Sequence, residues 1–137
     1  MISLNKQVDY GVQFLITLSQ LEEKQQISLR TFTNEHNMSF LFLQRIAALL
    51  KGAGLITATK GAHGGYTLAK KAEDITFLDI YEAIEGAYGA ATCLKKGCSC
   101  PREQACDSRM FFSVLQKDLR VFMKGYTLAD MADLSRA

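Results

Sequence analysis

Apolar positions along this chain follow two different periods. Between residues 5 and 20, Val8, Val12, Leu15 and Leu18 recur at helical spacing, which predicts a first helix with one apolar face. Residues 21–27 are polar and read as a loop. Ser28 is placed to cap a short helix through about residue 36 that buries Leu29 and Phe32. Asn37 and Met38 make a turn, and Ser39 is placed to cap a third helix with Leu43, Ile46, Ala47 and Leu50 inward and Gly52 and Gly54 at its end. The period then shortens. Residues 55–59 are alternating and β-branched, 60–65 form a Gly-rich loop, and 66–69 give a second strand, so a hairpin is expected. Thr76 with Asp79 has the capping-box pattern for a helix through Glu85, with Phe77, Ile80 and Ile84 inward, and Gly86 stops it. Beyond a cysteine-rich stretch, Asp107 or Ser108 is placed to cap a long helix to about Lys124, whose apolar positions are Phe111, Val114, Leu115, Leu119 and Phe122. Thr127 with Asp130 opens a last short helix holding Leu128, Met131 and Leu134.

Three helices followed by a β-hairpin describe a winged helix-turn-helix, in which the second helix of the pair enters the DNA major groove and the wing reaches a neighbouring groove. The fold class expected is therefore mainly α with a small β-hairpin. The expected organisation is a winged helix-turn-helix DNA-binding domain over 1–86, a cysteine-rich loop over 87–107, and a long helix with a short C-terminal helix over 108–137.

That pattern assigns a DNA-facing surface. With residues 43, 46, 47 and 50 inward, Ser39, Phe40, Leu41, Gln44 and Arg45 lie on the outward or leading face of the third helix. Arg45 is suited to guanine and Gln44 to adenine. Ser28, Arg30 and Thr31 begin the preceding helix, where side chains and backbone N–H groups meet phosphates. Phe40 and Leu41 either touch thymine methyls or pack on the first helix. Lys60 and His63 stand on the glycine scaffold of the wing, where a lysine reaches a minor groove or a phosphate.

Composition adds bounds. An apolar fraction of 48% and a charged fraction of 22% are those of a globular protein. No run approaches the roughly 18 apolar residues of a membrane span, and the first residues lack the pattern of a signal peptide, so a cytoplasmic location and no membrane partner are expected. A net charge of +2 neither supports nor excludes a nucleic-acid partner. His36 and His63 lie in the DNA-facing segment, and no nucleophile–base pair stands out, so neither an enzyme nor a small-molecule substrate is expected.

All four cysteines, Cys93, Cys98, Cys100 and Cys106, fall in one stretch. In a reducing compartment, thiols this close hold a soft metal centre or act as a redox switch more often than they form structural disulfides. Lys95, Lys96 and Arg102 would favour the thiolates. Three readings stand on the residues alone: an iron–sulfur cluster, a structural zinc site in an interaction protein, and a cluster-free thiol switch.

Residues 28–69 resemble the DNA-binding half of the Rrf2 family of bacterial transcription regulators. The most telling string is Ala53-Gly-Leu-Ile-Thr-Ala-Thr-Lys-Gly-Ala-His-Gly-Gly-Tyr-Thr-Leu-Ala69, which is similar to the family's wing. Phe42 to Ile46 sits at its recognition-helix segment, residues 75–86 resemble the helix after the wing, and Cys100-Pro-Arg-Glu-Gln-Ala-Cys106 resembles the sensor loop entering the dimerisation helix. The resemblance implies a homodimeric repressor-type regulator on a palindromic operator in double-stranded DNA. It also implies an iron–sulfur cluster, of two-iron or four-iron kind, that reports redox state, nitric oxide or iron–sulfur status. By the same resemblance Cys93, Cys100 and Cys106 are the thiolate ligands, and Asp9 of the partner subunit matches the fourth ligand of the NsrR-like branch. The histidine used in the IscR-like branch is replaced by Arg109, and the CymR-like branch points to the thiol switch instead. The spacing departs from the family's regular five intervening residues. Cys100 to Cys106 keeps five, Cys93 to Cys100 has six, and the extra Cys98 is a possible substitute for Cys100. Gln44-Arg45 also departs from the family's acidic-then-amide pair, so operator sequence does not carry over.

Overall fold

The computed structural model describes residues 4–89, 91–94 and 99–137. Its elements are α1 (Lys6–Ser19), α2 (Leu29–His36), α3 (Phe40–Gly52), β1 (Ile56–Thr59), β2 (Gly65–Leu68), α4 (Phe77–Glu85), α5 (Arg109–Lys124) and α6 (Leu128–Arg136). Single 3-10 turns occur at Ala72–Asp74, Thr92–Leu94 and Glu103–Ala105.

Local chemistry accounts for most of the helix ends. The first N–H groups of a helix have no intrahelical acceptor, and a short polar side chain supplies one. Asn5 accepts from the Val8 N–H at 3.1 Å, Ser28 from Thr31 at 3.1 Å, and Ser39 from Phe42 at 3.4 Å. Thr76 with Asp79, and Thr127 with Asp130, each form a reciprocal capping box. Asn37 ends α2 in the left-handed conformation (φ 52°), its N–H bonded to the Thr33 carbonyl.

The core lies where α1, α2, α3, α4 and the hairpin meet. Phe14, Leu15, Phe32, Leu43, Ile46, Leu50, Ile75 and Ile80 are fully buried, and Leu128 of α6 joins them. Each such side chain stabilises the fold by roughly 1.5–3 kcal/mol relative to exposure. The Phe14 ring meets Phe32 and Tyr66 edge-on, with centroids 5.1 and 5.9 Å apart, which ties α1 to α2 and to the wing.

The hairpin is antiparallel, with Ile56 opposite Leu68 and Thr59 opposite Gly65. A bridge between Ile27 and Tyr66 pins the segment before α2 against β2. A second bridge, Thr76 with Thr127, sets the two capping boxes side by side and brings α6 onto α1. α5 has no buried residue. It leaves the core with Met110, Phe111, Val114, Val121 and Phe122 all more than half exposed, and Arg120 pairs with Glu82 of α4.

Several local expectations are corrected. β1 starts one residue later than expected and ends at Thr59 as expected, and β2 runs one residue earlier at both ends, because Gly65 pairs with Thr59 while Leu55 and Ala69 pair outside the ladder. Leu78, rather than Phe77, is the deeply buried residue at the start of α4; Phe77 is half-buried. Val12 is likewise only half-buried, and the unpredicted Phe14 is central. Ser108 precedes α5 with helical backbone angles and makes no side-chain cap. Leu134 is 68% exposed, while α6 buries Leu128 and Ala132 and packs Met131 half-buried against the core. Among the described residues no helix is long and apolar enough to cross a membrane.

Candidate functional site

α3 presents two chemically different faces. Leu43, Ile46, Ala47 and Leu50 are fully buried, while Leu41, Gln44 and Arg45 are exposed on the other side. Anchoring one face so completely holds the other rigid, as a recognition helix requires. Among the described residues Arg45 enters no ion pair and the Gln44 amide makes no side-chain hydrogen bond, so their donors are available. Phe40 and Leu41 separate: Leu41 is 74% exposed, whereas Phe40 is half-buried against the core, with the Arg30 guanidinium 4.6 Å from its ring centroid. Phe42 touches the first helix, edge-on to Tyr10 with centroids 5.5 Å apart.

At the start of α2, Arg30 and Thr31 are exposed and Ser28 is half-buried. The Ser28 hydroxyl is engaged, accepting from the Thr31 N–H and donating to Thr31 Oγ1 at 2.8 Å. That leaves the Thr31 hydroxyl hydrogen free to donate, and Ser39, exposed at the start of α3, keeps its own. His36 is turned back onto α2: its ring stacks on Phe32 and Nδ1 lies 3.0 Å from the Phe32 carbonyl. In the wing, Lys60 and His63 are exposed on the turn closed by the Gly64 N–H to the Gly61 carbonyl.

Cys93, Cys100 and Cys106 are free and half-buried. Cys98, Lys95 and Lys96 lie outside the described residues. The Cys106 thiol is held below the ordinary thiol range, chiefly by the Ser108 hydroxyl, whose Oγ lies 3.4 Å from Sγ, then by backbone N–H groups, with Arg102 adding a smaller contribution. Arg109 at the start of α5 is paired with Glu103 at 2.7 Å. Asp9, exposed in the first turn of α1, accepts from Gln13 at 2.9 Å. It borders an apolar cleft of about 530 Å³ that reaches Val12, Phe77, Phe122 and Tyr126. Among the described residues no three Cys, His, Asp or Glu side chains converge as a metal site within one chain. By donor type alone, three half-buried thiols are the ligands a soft metal centre takes.

Two features escaped the sequence reading. Ser108 acts on Cys106 rather than as a helix cap; a hydroxyl two residues beyond a thiol is a weak signal. Glu82 accepts from Arg120 of α5 and from the Tyr88 N–H at 3.3 Å, so one carboxylate joins α4, α5 and the entry to the cysteine loop. Its ligands lie 6 and 38 residues away, beyond any local pattern.

Comparison with known proteins places this architecture. The sequence model of the Rrf2 family, described as iron-dependent transcriptional regulator, matches residues 4–134. Protein rrf2 of Nitratidesulfovibrio vulgaris is 33% identical over 122 residues, covering 89% of this chain and 81% of that protein. Among solved structures, T. potens IscR superposes with a TM-score of 0.73 at 28% identity, over 98% of this chain and 88% of that one. The B. subtilis global cysteine regulator CymR superposes with a TM-score of 0.76 over 98% of both chains, and at 23% identity that likeness speaks for the winged-helix fold alone. A match across nearly the whole length, together with an α3 buried on one face and exposing Gln44 and Arg45 on the other, makes this chain a member of the Rrf2 family, which comprises transcriptional regulators and not enzymes.

Proposed function

We propose that this protein is a cytoplasmic, homodimeric repressor that binds a palindromic operator through α3 and the wing, and that its cysteine loop senses redox state, nitric oxide or iron–sulfur status. The single observation that carries the DNA-binding part is the exposed Gln44–Arg45 pair on a helix whose opposite face is wholly buried. Residues 1–86 act as the reading head, 87–107 as the sensor, and α5 as the dimerisation helix, with α6 packed back on the head. Arg45 and Gln44 read base edges, Leu41 offers an apolar contact to a thymine methyl, and Ser28, Arg30, Thr31, Ser39 and Phe40 serve the phosphate side. Lys60 and His63 carry the wing's contact to the adjoining groove. A two-fold dimer sets its two recognition helices about 34 Å apart, or a multiple of that, on one face of the duplex.

Cys93, Cys100 and Cys106 would hold an iron–sulfur cluster, with the partner subunit's Asp9 as fourth ligand and Cys98 as an alternative thiolate. Such a group supplies a redox- and nitric-oxide-reactive centre when bound. This chain's own residues do the rest. Ser108 and Arg102 favour the Cys106 thiolate, and the loop joins α4 to α5, so its conformation bears on the angle between the two heads. Because both heads must engage together, a small change in that angle shifts affinity by about 1–3 kcal/mol. A second reading is favoured by Cys106 itself: a lowered thiol beside Ser108 is also what a cluster-free switch needs, through sulfenic acid or disulfide chemistry.

Anaerobic purification separates these readings. A coloured protein with matched iron and sulfide supports the cluster. Colourless, metal-free protein with reversible thiol oxidation supports the switch, and stoichiometric zinc overturns both. Replacing Arg45 by Ala should weaken operator binding by about 1–3 kcal/mol. Duplex affinity that does not fall with added salt would overturn the DNA-binding reading.

A further inference from the structure

Arg30 is the second residue of α2 and Phe40 the first of α3, so their side chains lie where the leading turns of the two helices meet. The Phe40 ring is half-buried and packed on the core, which fixes it; Arg30 is exposed. With its guanidinium carbon 4.6 Å from the ring centroid, Arg30 is held by attraction between the cation and the negative face of the ring. No carboxylate pairs with Arg30 among the described residues. A guanidinium resting on an aromatic face keeps its fork of N–H donors pointing outward, and much of its rotamer freedom is lost before any ligand arrives. The neighbouring free donors, the Thr31 hydroxyl and the Ser39 hydroxyl, belong to the same two helix starts. A phosphate oxygen is the chemistry that this set of donors suits.

We propose that Phe40 is a positioning residue for DNA binding: it makes no base contact of its own and presets Arg30 to grip a backbone phosphate. The inference rests on the DNA-binding reading and deepens it. It explains why an aromatic residue opens a recognition helix without being free to touch a thymine methyl, the role left to Leu41.

The test is a double-mutant cycle on the full-length chain, using a fluorescently labelled duplex of mixed sequence and a salt titration. Arg30→Ala should lower the slope of log affinity against log salt by about 0.9. Phe40→Leu should weaken binding by about two- to fivefold while keeping that slope, and should have almost no further effect once Arg30 is Ala. Phe40→Tyr, which keeps the ring, should bind like the parent. An equal loss from Phe40→Leu in both backgrounds, or failure of Phe40→Tyr to restore binding, would make Phe40 merely structural and overturn the proposal. A readout without DNA keeps this distinct from failure of the DNA-binding reading. In the free protein the Arg30 Nε–H resonance should carry a ring-current shift that disappears in Phe40→Leu, and its absence in the parent would refute the pairing whatever the duplex does. A parent chain that shows the shift but has no salt-dependent duplex affinity would sink the DNA-binding reading, and the proposal with it.

Discussion

A Cβ at Gly64 would lie 2.1 Å from the Thr59 carbonyl oxygen, and one at Gly65 would lie 2.7 Å from the Ile27 carbonyl oxygen. Both obstacles are backbone atoms, which cannot swing aside as a side-chain end can. Gly64→Ala is therefore expected to destabilise the protein by about 1–3 kcal/mol, seen as a lower urea midpoint at unchanged m-value; a midpoint equal to the parent's would contradict the packing described. From sequence, the glycines of residues 61–65 mark a hairpin turn. The division of labour among them does not show: Gly61 supplies a positive φ of 119°, whereas Gly64 and Gly65 supply closeness. Phe40 and Leu41 make the same point. They are adjacent apolar residues at one helix start, and only packing decides that one is half-buried under an arginine and the other stands in solvent.

At the scale of elements, the local signals that were legible are those whose chemistry closes within three or four residues. Ser28, Ser39, Thr76 and Thr127 all cap as their spacing suggests. Ser108 does not, because its hydroxyl is turned to Cys106 and its backbone is already helical. The second capping box also makes a pH prediction. The Thr127 N–H, then the Thr127 hydroxyl region, hold the Asp130 carboxyl below its ordinary range. With the folded value lower than the unfolded one of about 3.9, this group's contribution is present above that value and is lost as pH falls through the folded one. Asp130→Asn should thus be less stable than the parent near neutrality, and the gap between the two thermal-midpoint curves should close in acid. A gap that stays constant from neutral pH into acid would rule the linkage out. α6 itself reads from sequence as a short helix with Leu128, Met131 and Leu134 together. The bridge between Thr76 and Thr127 rotates it so that Leu128 enters the core and Leu134 faces outward.

For the whole molecule, α5 is the element whose sequence and surroundings disagree within a single chain. It is strongly amphipathic in pattern, yet Phe111, Val114, Val121 and Phe122 are exposed. Exposed apolar surface of this kind marks an interaction site, and the proposed two-fold dimer would cover it. Val114→Asp should leave the circular dichroism spectrum and the head's fold intact, because the position contributes nothing to the monomer core. It should weaken self-association by about 2 kcal/mol or more, measured by sedimentation, and lower operator affinity in step. A variant that stays dimeric at the parent's concentration dependence would remove α5 from the interface. Glu82 then acquires a place in the same picture, since it joins α5 to the entry of the cysteine loop through Arg120 and Tyr88.

Periodicity, caps and turn residues determined, by themselves, that helices and a hairpin come in winged-helix order and that α3 has an inward and an outward face. Those features are local: a repeat of 3.6 or 2 and a hydroxyl three residues from an N–H are written in neighbouring positions. Tertiary structure alone decided the exceptions to that pattern, with Phe14 and Leu78 in the core and Phe77 and Leu134 not. It alone brought Arg30 over Phe40 and Glu82 between Tyr88 and Arg120. The physical reason is the same throughout. Burial and side-chain partnership depend on what the rest of the chain places in the remaining directions around a residue, and no window along the sequence contains that information.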